Sequence, residues 1–345
     1  MSEDVVNLAI AEAEALIIRA LENSGVTRPN ATSVAHALVA AEIDGQSGHG
    51  FSRVAAYAAQ ARSGKVDGTA TPHAEQTAAA LVTVDARNGF AYPAINAAIS
   101  ALAALAPQTG VAGALIRRSH HCGQLGLHVE RLAGQGLVAL MVGNAPSAMA
   151  PWGGSKPLFG TNPIAFAAPR LDGLPLVVDL SLSKTARGKV MAAAKAGKPI
   201  PEGWALDAEG RPTTDPQAAL AGTMLPAGEA KGAMLALVVE VLCATLTGAN
   251  HSYEATSFFD AAGAPPGVGQ TIIVFDPRCA VKGAFVHRLE SLLSEMTSQE
   301  GVRLPGARRA EMRVAAQRDG LAVPAHLYAE ITRLIEAGAD ESTAP

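Results

Sequence analysis

The chain has few cysteines, few charged residues and few aromatic side chains. Only 3 cysteines occur in 345 residues, 4% of the residues are aromatic and 17% are charged. An odd number of cysteines without a CxxC pair argues against a disulfide framework, so we expect a reducing, cytoplasmic location. Lysine and arginine number 27 against 31 acidic residues, a net charge of −4 without a dense basic run. Nucleic acid is therefore not expected as a partner.

Long apolar runs are also missing. The most apolar long stretch, residues 233–248, is interrupted by Glu240 and is shorter than the ~20 residues that a membrane span needs. The first residues are acidic, whereas a signal peptide starts with basic residues and an apolar run. We therefore expect no association with a membrane. The 49% hydrophobic content is ample for one large domain or for two to three smaller ones.

Several well-known catalytic motifs are absent as well. There is no GxxxxGK[ST] phosphate loop, no GxSxG elbow and no HExxH pair. The match to a dinucleotide fingerprint at residues 134–139 follows a helical pattern and precedes a strand, which is the reverse of the order that binds a pyrophosphate. The run His120-His121-Cys122 has no metal-ligand spacing around it, so no metal site is predicted.

Hydrophobic periodicity predicts an α/β fold with helices at both chain ends. The predicted terminal helices cover residues 5–21, about 29–41, 52–61, 280–298, 308–318 and 324–337. Short apolar runs bounded by Gly, Pro or Asp predict strands at 81–84, 111–116, 137–142, 163–168, 176–180 and 271–275. We predict a helical domain from residues 1–72 and 281–337, an α/β domain at 73–280, and a frayed tail at 338–345.

The first polar cluster lies in residues 44–57. If a helix begins near His49, then His49, Arg53 and Tyr57 share one helical face. An arginine binds a carboxylate through two parallel hydrogen bonds, and a histidine or tyrosine can serve a neighbouring oxygen. The pattern suits a small anionic substrate. A solvated polar stripe behind a glycine-rich turn explains the same residues equally well.

The second cluster, residues 119–124, directly follows a predicted strand. Sheets of α/β proteins place ligands at such strand ends, and a histidine there could donate a proton to a carbonyl. A capped helix start, with one histidine merely hydrogen-bonded, is slightly favoured by the residues alone.

Three further segments could hold a nucleotide or be purely structural. Thr161 and Asn162 lie in a glycine-bearing turn and offer fixed hydrogen bonds. The stretch 179–184 ends a strand with polar side chains that could cradle a ribose or a pyrophosphate, or cap the strand. Lys231 opens a long apolar helix, where a cation opposes the helix dipole. A bound phosphate or an ordinary salt bridge would explain it.

Taken together, six segments resemble the type 2 malate/L-lactate dehydrogenases, a family that includes sulfolactate and ureidoglycolate dehydrogenases, 2,3-diketo-L-gulonate reductase and Δ1-piperideine-2-carboxylate reductase. The resemblance covers nearly the whole chain. The segments are DGQSGHGFSR (44–53), SHHCGQLG (119–126), APWGG (150–154), LFGTNPIAFAAP (158–169), GKPIPEGWALDAEGRPTTDP (197–216) and LPAGEAKGAMLALVVEVL (225–242).

The resemblance implies an NAD- or NADP-dependent oxidoreductase that transfers hydride to and from C2 of a small 2-oxo or 2-hydroxy acid of the malate, lactate or sulfolactate type. It also implies a non-Rossmann nucleotide-binding sheet, a helical domain from both termini, and a homodimer with active sites near its interface. The implied catalytic residues are His121 and His49, and the implied substrate-binding residues are Arg53, Tyr57, Ser47 and Thr161. The implied cofactor-binding residues are His121, Asn162, Asp179, Ser181, Ser183, Lys184, Lys231, Gly306 and Arg308.

Two departures from the family pattern stand out. Ureidoglycolate dehydrogenases carry a Ser-Asp pair where this chain has Ala145-Pro146, which argues against ureidoglycolate as the substrate. Many relatives read GGxKG where this chain reads GEAKG, so Glu229 adds a negative charge to a cofactor loop.

Other functions stay open at this point. The main alternative is an NADPH-dependent reductase of a cyclic imine, Δ1-piperideine-2-carboxylate or Δ1-pyrroline-2-carboxylate. A ligand-binding protein on an enzyme scaffold and a metal-dependent hydrolase are the other classes. The particular substrate, NAD against NADP, stereochemistry, direction, and the choice of His121 or His49 as proton donor are not determined by the sequence.

Overall fold

The computed structural model describes residues 4–281 and 283–341. Its strands are β1 Val5–Leu8, β2 His73–Ala78, β3 Leu81–Asp85, β4 Val111–Ser119, β5 Val138–Gly143, β6 Ile164–Ala168, β7 Leu176–Leu180, β8 Ala205–Leu206, β9 Pro212–Thr213, β10 Thr223–Met224, β11 Val268–Phe275 and β12 Leu321–Pro324. Its α-helices are α1 Ile10–Glu22, α2 Arg28–Ile43, α3 Val54–Arg62, α4 Ala91–Thr109, α5 Leu125–Ala133, α6 Arg187–Lys195, α7 Pro216–Ala221, α8 Ala230–Glu240, α9 Pro277–Val281, α10 Ala284–Thr297, α11 Ala307–Asp319 and α12 Ala325–Glu341.

A seven-stranded sheet in the order β2-β3-β4-β11-β5-β6-β7 forms the middle of the molecule. Strands β3 and β4 run parallel, and the other neighbouring pairs in this sheet run antiparallel. Helices α4 and α5 pack on one face, where Ile95, Leu102 and Leu132 join the buried strand residues in one core. A π-helical segment, Val241–Thr245, continues α8 and packs on β11, so the strongly apolar central strand is covered from both sides.

A second core joins the two ends of the chain. Residues of α1, α2 and α3 pack together with Leu321 and Val323 of β12 and with Ile331 of α12. Strand β1 pairs antiparallel with β12, so that Val5 lies opposite Pro324. A third, smaller core lies under the sheet β10-β8-β9 and includes Val190 of α6 and Ala219 of α7.

The main-chain prediction needs three corrections. Residues 5–8 form a strand instead of the predicted start of a helix, because the partner strand comes from the other end of the chain. The predicted helix over 280–298 is two helices, which are separated at Gly283, a residue with φ of +91°. Helix α12 continues to Glu341, so residues 338–341 are helical and not frayed; residues 342–345 lie outside the described part.

The rejected dinucleotide fingerprint lies where its sequence context predicted. Residues 134–137 form the turn between α5 and β5, and the order helix, turn, strand offers no helix N-terminus to a phosphate. Among the described helices, none has the length and apolar character required to cross a bilayer.

Candidate active site

His49 and Arg53 lie in two successive 3-10 turns, Ser47–His49 and Phe51–Arg53. The prediction of one continuous helix from His49 was wrong, because the chain bends at Gly50 and α3 begins only at Val54. A side chain at Gly50 would collide with Glu42, whose carboxylate accepts a hydrogen bond from the Phe51 N–H at 2.8 Å. The bend therefore depends on glycine and on a carboxylate supplied by α2.

A line of four side chains connects the first and second polar clusters. The Tyr92 and Tyr57 hydroxyls are 3.2 Å apart, and the Tyr57 hydroxyl is 2.5 Å from Nδ1 of His121. Nε2 of His121 is in turn 3.2 Å from Nδ1 of His49, and the two imidazoles stack at 5.1 Å between ring centroids. Both ring nitrogens of His121 are thus occupied, whereas His49 is half-buried and ends the line with its own Nε2.

Both imidazoles of this line are uncharged at neutral pH. Burial, and secondarily the positive charge of Arg53, lower the pKa of His49 to about 4. The same two causes, in the same order, hold the pKa of His121 well below its usual value. Burial also raises the pKa of Tyr57 to about 12, so the phenol keeps its proton.

Arg53 presents an incompletely satisfied guanidinium beside these imidazoles. Its Nε donates to the Gly48 carbonyl at 2.7 Å, and its guanidinium carbon lies 4.4 Å from the centre of the Phe259 ring. Its Nη1 is buried and has no hydrogen-bond partner in the described part of the protein. Burial lowers the pKa of this arginine. A buried N–H group without a partner is rare in folded proteins. Such a group on an arginine is suited to binding an anionic substrate.

His120, next to His121, points away from the site into an aromatic core. It is 1% exposed, neither ring nitrogen has a hydrogen-bond partner within the described residues, and its ring packs edge-on against Tyr57 and Phe90. Burial lowers its pKa to about 3. Its backbone carbonyl accepts from the Gln270 side chain on β11 at 3.2 Å. His120 therefore fixes the strand end that presents His121.

An ion-pair cluster holds the two polar clusters in register. Arg313 of α11 donates to Asp44 at 2.7 and 2.9 Å and to Glu130 of α5 at 2.6 and 2.7 Å. The Gln124 side chain also donates to Asp44, at 3.1 Å. Asp44 begins the segment that carries His49 and Arg53, and α5 follows directly on the loop that carries His121. The cluster thus connects both halves of the site.

The segments predicted to bind the cofactor are neighbours in space. The Leu182 N–H donates to the Thr161 carbonyl at 2.8 Å, and the Lys184 N–H donates to the Leu225 carbonyl at 2.8 Å. Ser183 and Pro226 form an isolated β-bridge, and Pro226 leads directly into the start of α8 with Lys231. Both lysines are exposed there, and the Ser181 and Ser183 hydroxyls are 3.2 Å apart.

Of the remaining predicted cofactor residues, Asp179 lies in β7, and Gly306 and Arg308 lie at the start of α11. Asp179 accepts a hydrogen bond from the Gly126 N–H at the start of α5, at 2.7 Å. Gly306 precedes α11 with φ of +84°, and Arg308 in the first turn is exposed. Arg309, which sequence analysis missed because its neighbour is equally basic, donates to the Val177 carbonyl at 3.2 Å. The α11 start therefore lies against the same strand as Asp179.

Asn162 is fully buried, and its amide is engaged within the protein. It donates to the Ala236 carbonyl at 3.0 Å and to the Glu240 carboxylate at 2.8 Å. Glu240 also accepts from the Ser252 N–H and hydroxyl at 2.6 and 2.7 Å. This network ties the 158–169 segment to α8, and the contact of Asn162 with a cofactor stays a prediction.

Ser47 and Thr161 also stay predictions as substrate contacts. Ser47 is exposed, and its carbonyl accepts from the Ser52 hydroxyl at 2.7 Å, which connects the two 3-10 turns. Thr161 is half-buried beside the fully buried Asn162. No group of three metal-ligating side chains comes together in residues 4–281 and 283–341.

The cofactor segments have the chemistry that a dinucleotide diphosphate requires. Gly228 and Gly306 both have positive φ and precede helix starts, where backbone N–H groups and the helix dipole favour an anion. Lys231 lies in the first turn of α8, where a cation is unfavourable unless an anion binds beside it. The exposed ammonium groups of Lys184 and Lys231 are available to a phosphate. These residues fit NAD or NADP.

Comparison with known proteins shows the family of the chain. The chain matches the family model for malate/L-lactate dehydrogenase over residues 8–332. It is 55% identical over 306 residues to a (2R)-3-sulfolactate dehydrogenase (NADP(+)) of Chromohalobacter salexigens, a match that covers 89% of this chain and 91% of that protein. It is 43% identical over 324 residues to a Δ1-pyrroline-2-carboxylate/Δ1-piperideine-2-carboxylate reductase of Pseudomonas putida, covering 92% and 94%. The crystal structure of Δ1-piperideine-2-carboxylate reductase from Pseudomonas syringae superposes with a TM-score of 0.90 at 40% identity, covering 96% and 99%.

Proposed function

The chain belongs to the malate/L-lactate dehydrogenase family, and from that premise we propose that it interconverts a small 2-oxo acid and its 2-hydroxy acid with NADP, with 3-sulfolactate as the first candidate substrate. It is an NAD(P)-dependent oxidoreductase. The observation that carries the proposal is the buried, unpartnered Nη1 of Arg53 beside two stacked, uncharged imidazoles. The NADP assignment rests on the sulfolactate dehydrogenase relative, which is an NADP(+) enzyme.

Arg53 binds the substrate carboxylate in this proposal. Its Nε is already held by the Gly48 carbonyl, so the guanidinium plane is fixed before the substrate arrives. The free Nη groups then meet the carboxylate as charge-assisted hydrogen bonds, which are about twice as strong as neutral ones. Fixing the acid group also fixes the neighbouring C2 carbon, and correct orientation is among the largest contributions to catalysis.

His49 donates the proton to the substrate, and His121 orients the imidazole of His49. The phenol of Tyr57 can donate to Nδ1 of His121, which leaves Nε2–H of His121 to donate to Nδ1 of His49. Nε2 of His49 then carries a hydrogen and faces outward, toward the carbonyl oxygen of a substrate bound on Arg53. His121 has no free nitrogen to offer, so it acts through His49.

Substrate charge prepares His49 for this role. Arg53 is one cause of the low pKa of His49, and a carboxylate bound on Arg53 offsets that repulsion. The pKa of His49 then rises, and the imidazole can bind the proton that it passes to the alkoxide oxygen. When the hydroxy acid is oxidised, the donors of the line run in the opposite order: Nδ1–H of His49 donates to Nε2 of His121, and Nδ1–H of His121 donates to the Tyr57 oxygen. Nε2 of His49 then carries no hydrogen and accepts the hydroxyl proton.

The nicotinamide supplies or accepts the hydride when the cofactor is bound. Lys184, Lys231 and the N-terminal turn of α8 hold its phosphates in this proposal, and Ser181, Ser183 and Asp179 line the stretch beside them. The hydrogen bond from Gly126 to Asp179 connects this stretch to the loop that presents His121. In this proposal the site residues and the cofactor segments lie at one end of the sheet, where β4 and β7 both finish.

The fold-level expectations belong to the same proposal. We propose that the mixed, mainly antiparallel sheet is a nucleotide-binding sheet distinct from the Rossmann fold, and that the core shared by both chain ends is a helical domain. The free state of Cys122, Cys243 and Cys279 supports a cytoplasmic location.

A homodimer is also part of the proposal. Helix α8 and its π-helical extension expose a row of large apolar side chains, each 44–56% exposed, and a second copy of the chain would cover them. They are Met234, Leu235, Leu237, Val238, Val241 and Leu246. Because Lys231 begins the same helix, an interface there would place each cofactor segment beside the partner.

A cyclic imine reductase is the second candidate, and the relatives of Pseudomonas support it. The same site suits this chemistry, because an imine carboxylate also offers a carboxylate for Arg53. A substrate panel separates the two: oxidation of NADPH and NADH is followed by absorbance with sulfopyruvate, oxaloacetate, pyruvate and Δ1-piperideine-2-carboxylate. We expect the highest kcat/KM with sulfopyruvate and NADPH. A higher kcat/KM with the imine would favour the second candidate, and no turnover with any of the four would contradict the proposed function.

A further inference from the structure

Two consecutive phenylalanines border the proposed acid-binding site. They lie in the irregular segment between the π-helical end of α8 and β11. Phe258 is 6% exposed and packs against His120 and His121, with ring centroids 5.3 and 5.2 Å apart. Phe259 is 41% exposed, and its ring lies over the guanidinium of Arg53 at 4.4 Å. One dipeptide thus contacts both the arginine and the imidazole line.

Lys65, just after α3, holds this dipeptide in place. Its side chain is fully buried, and its Nζ donates to the Ser257 carbonyl at 2.7 Å, to the Asp260 carbonyl at 3.0 Å and to the Asp260 carboxylate at 3.2 Å. The Gln60 amide donates to the same Asp260 carbonyl at 2.9 Å. Burying an ammonium group is costly unless it is paired and hydrogen-bonded, and here every acceptor lies on a residue that flanks the dipeptide.

We propose that Phe258 and Phe259 form the apolar wall of the acid-binding pocket, and that Lys65 is the positioning residue that holds this wall against Arg53 and His121. The inference rests on the proposed function and names the residues that shape its substrate site. An aromatic ring on the face of a guanidinium leaves the N–H edge free for a carboxylate. The ring also excludes water from that face, so the ion pair with the substrate is stronger.

The wall lies beside the acid and away from the segments proposed to hold the cofactor phosphates. Lys65 contacts residues 257 and 260, whereas those segments are residues 179–184, 226–231 and 306–309. The wall contacts a predicted cofactor residue only where Phe258 packs on His121. A defect in the wall therefore weakens binding of the 2-oxo acid and leaves binding of NADPH intact. A merely structural role of Lys65 would instead weaken both and lower the melting temperature in proportion.

Substitutions in the wall and at its anchor test this inference. For Phe259→Ala and Lys65→Met we expect KM for sulfopyruvate to rise about tenfold, from the size of a partly desolvated cation–π contact. We expect kcat to change by less than about threefold and the Kd of NADPH, from its fluorescence, by less than about twofold. Phe259→Tyr keeps the aromatic face and should restore the wild-type KM. Lys195→Met, an exposed lysine on α6, is the matched control for loss of a charge.

Failure of the wall proposal and failure of the proposed function give different results. An unchanged KM in Phe259→Ala, or a KM and an NADPH Kd that rise together in both variants, would overturn the wall proposal. Because Phe259 is partly exposed, its variants should fold even where Lys65→Met does not, and Phe259→Ala against Phe259→Tyr then decides. Absence of turnover in the wild-type protein with every substrate of the panel would instead contradict the proposed function itself.

Discussion

At the scale of single residues, the site depends on how each histidine is surrounded. The imidazoles of His49, His120 and His121 lie in one cluster. Of these three, only His49 has an unpaired ring nitrogen that faces solvent. His121 is enclosed between a phenol and His49, and His120 is enclosed in an aromatic core. From the sequence, the three histidines are similar candidates for the proton donor. Their roles can be distinguished only when the partners of each ring nitrogen are known.

Substitutions at His49 and Tyr57 should affect turnover differently. His49→Ala removes the proton donor and should lower kcat by about 10²–10⁴-fold. Tyr57→Phe keeps the donor and removes the hydroxyl that contacts His121 and Tyr92, so the loss should stay near tenfold. Single-turnover kinetics with NADPH and sulfopyruvate measures both, and NADPH affinity is the control that should not change. A His49→Ala enzyme with near wild-type kcat would exclude His49 as the donor.

The buried histidine His120 predicts a loss of stability in acid. Its pKa is about 3 in the folded protein and about 6.5 when unfolded, so the unfolded state binds the proton first as the pH falls. Stability contributed by this neutral imidazole is complete above about pH 6.5 and declines as the pH falls toward 3. At pH 5 the loss amounts to about 2 kcal/mol.

Urea unfolding at pH 7 and pH 5 measures this loss. His120→Gln should reduce the difference in unfolding free energy between the two pH values by about 2 kcal/mol. His73→Gln, at an exposed position on β2, is the matched control and should leave the difference unchanged. A pH dependence identical in His120→Gln and wild type would contradict the assignment.

At the scale of elements, the sequence predicts helices and strands whose signal is local. It misses elements and contacts that depend on residues remote in the chain. The apolar runs of β3, β7 and β11 and the helical patterns of α4 and α5 carry their own signal, and the structure has them within a few residues. Strand β1 was taken for helix because its partner β12 lies more than 300 residues away. Lys65 and Tyr92 were missed for the same reason, since their contacts join segments remote in sequence.

The residue before α8, Glu229, has a strained backbone. It is also the residue at which GEAKG departs from the GGxKG pattern. Glu229 has φ of +56° and ψ of −129°, a conformation that glycine adopts freely and that costs other residues on the order of 1–3 kcal/mol. Glycine is the residue expected here from the GGxKG pattern that many relatives resemble. The chain therefore carries both backbone strain and a negative charge beside the proposed phosphate site.

Two substitutions separate these effects. Glu229→Gly should raise the free energy of unfolding by about 1 kcal/mol and lower the Kd of NADPH, because it relieves the strain and removes the charge. Glu229→Ala removes only the charge, so it should improve NADPH affinity without the gain in stability. Thermal melts and NADPH fluorescence titrations check both. Equal melting temperatures for Glu229→Gly and wild type would contradict the strain argument.

At the scale of the whole molecule, one half of the site follows the core that the two chain ends share, and the other half follows the large sheet. The segment with His49 and Arg53 follows α2 of this core, whereas His121 follows β4 of the large sheet. Arg313 of α11 joins both halves through Asp44 and Glu130. The exposed apolar row of α8 is one surface that this arrangement leaves uncovered.

A charge in that row should split the proposed dimer. Val238 is 52% exposed on α8, and Val238→Asp places an unpaired carboxylate in the interface. Light scattering after gel filtration should show a dimer for wild type and a monomer for this variant. Val111→Asp, at an exposed apolar position on β4, is the control and should remain dimeric. A monomeric wild type would contradict the homodimer.

The most direct test of the catalytic proposal is a crystal structure with NADPH and a non-reducible acid such as oxamate. The proposed geometry places the carboxylate of the acid about 3 Å from the Nη groups of Arg53, and the oxygen on its second carbon about 3 Å from Nε2 of His49. The aromatic wall would lie over the bound acid. A bound acid whose carboxylate avoids Arg53, or whose second oxygen faces His121 while His49 points elsewhere, would contradict the catalytic arrangement.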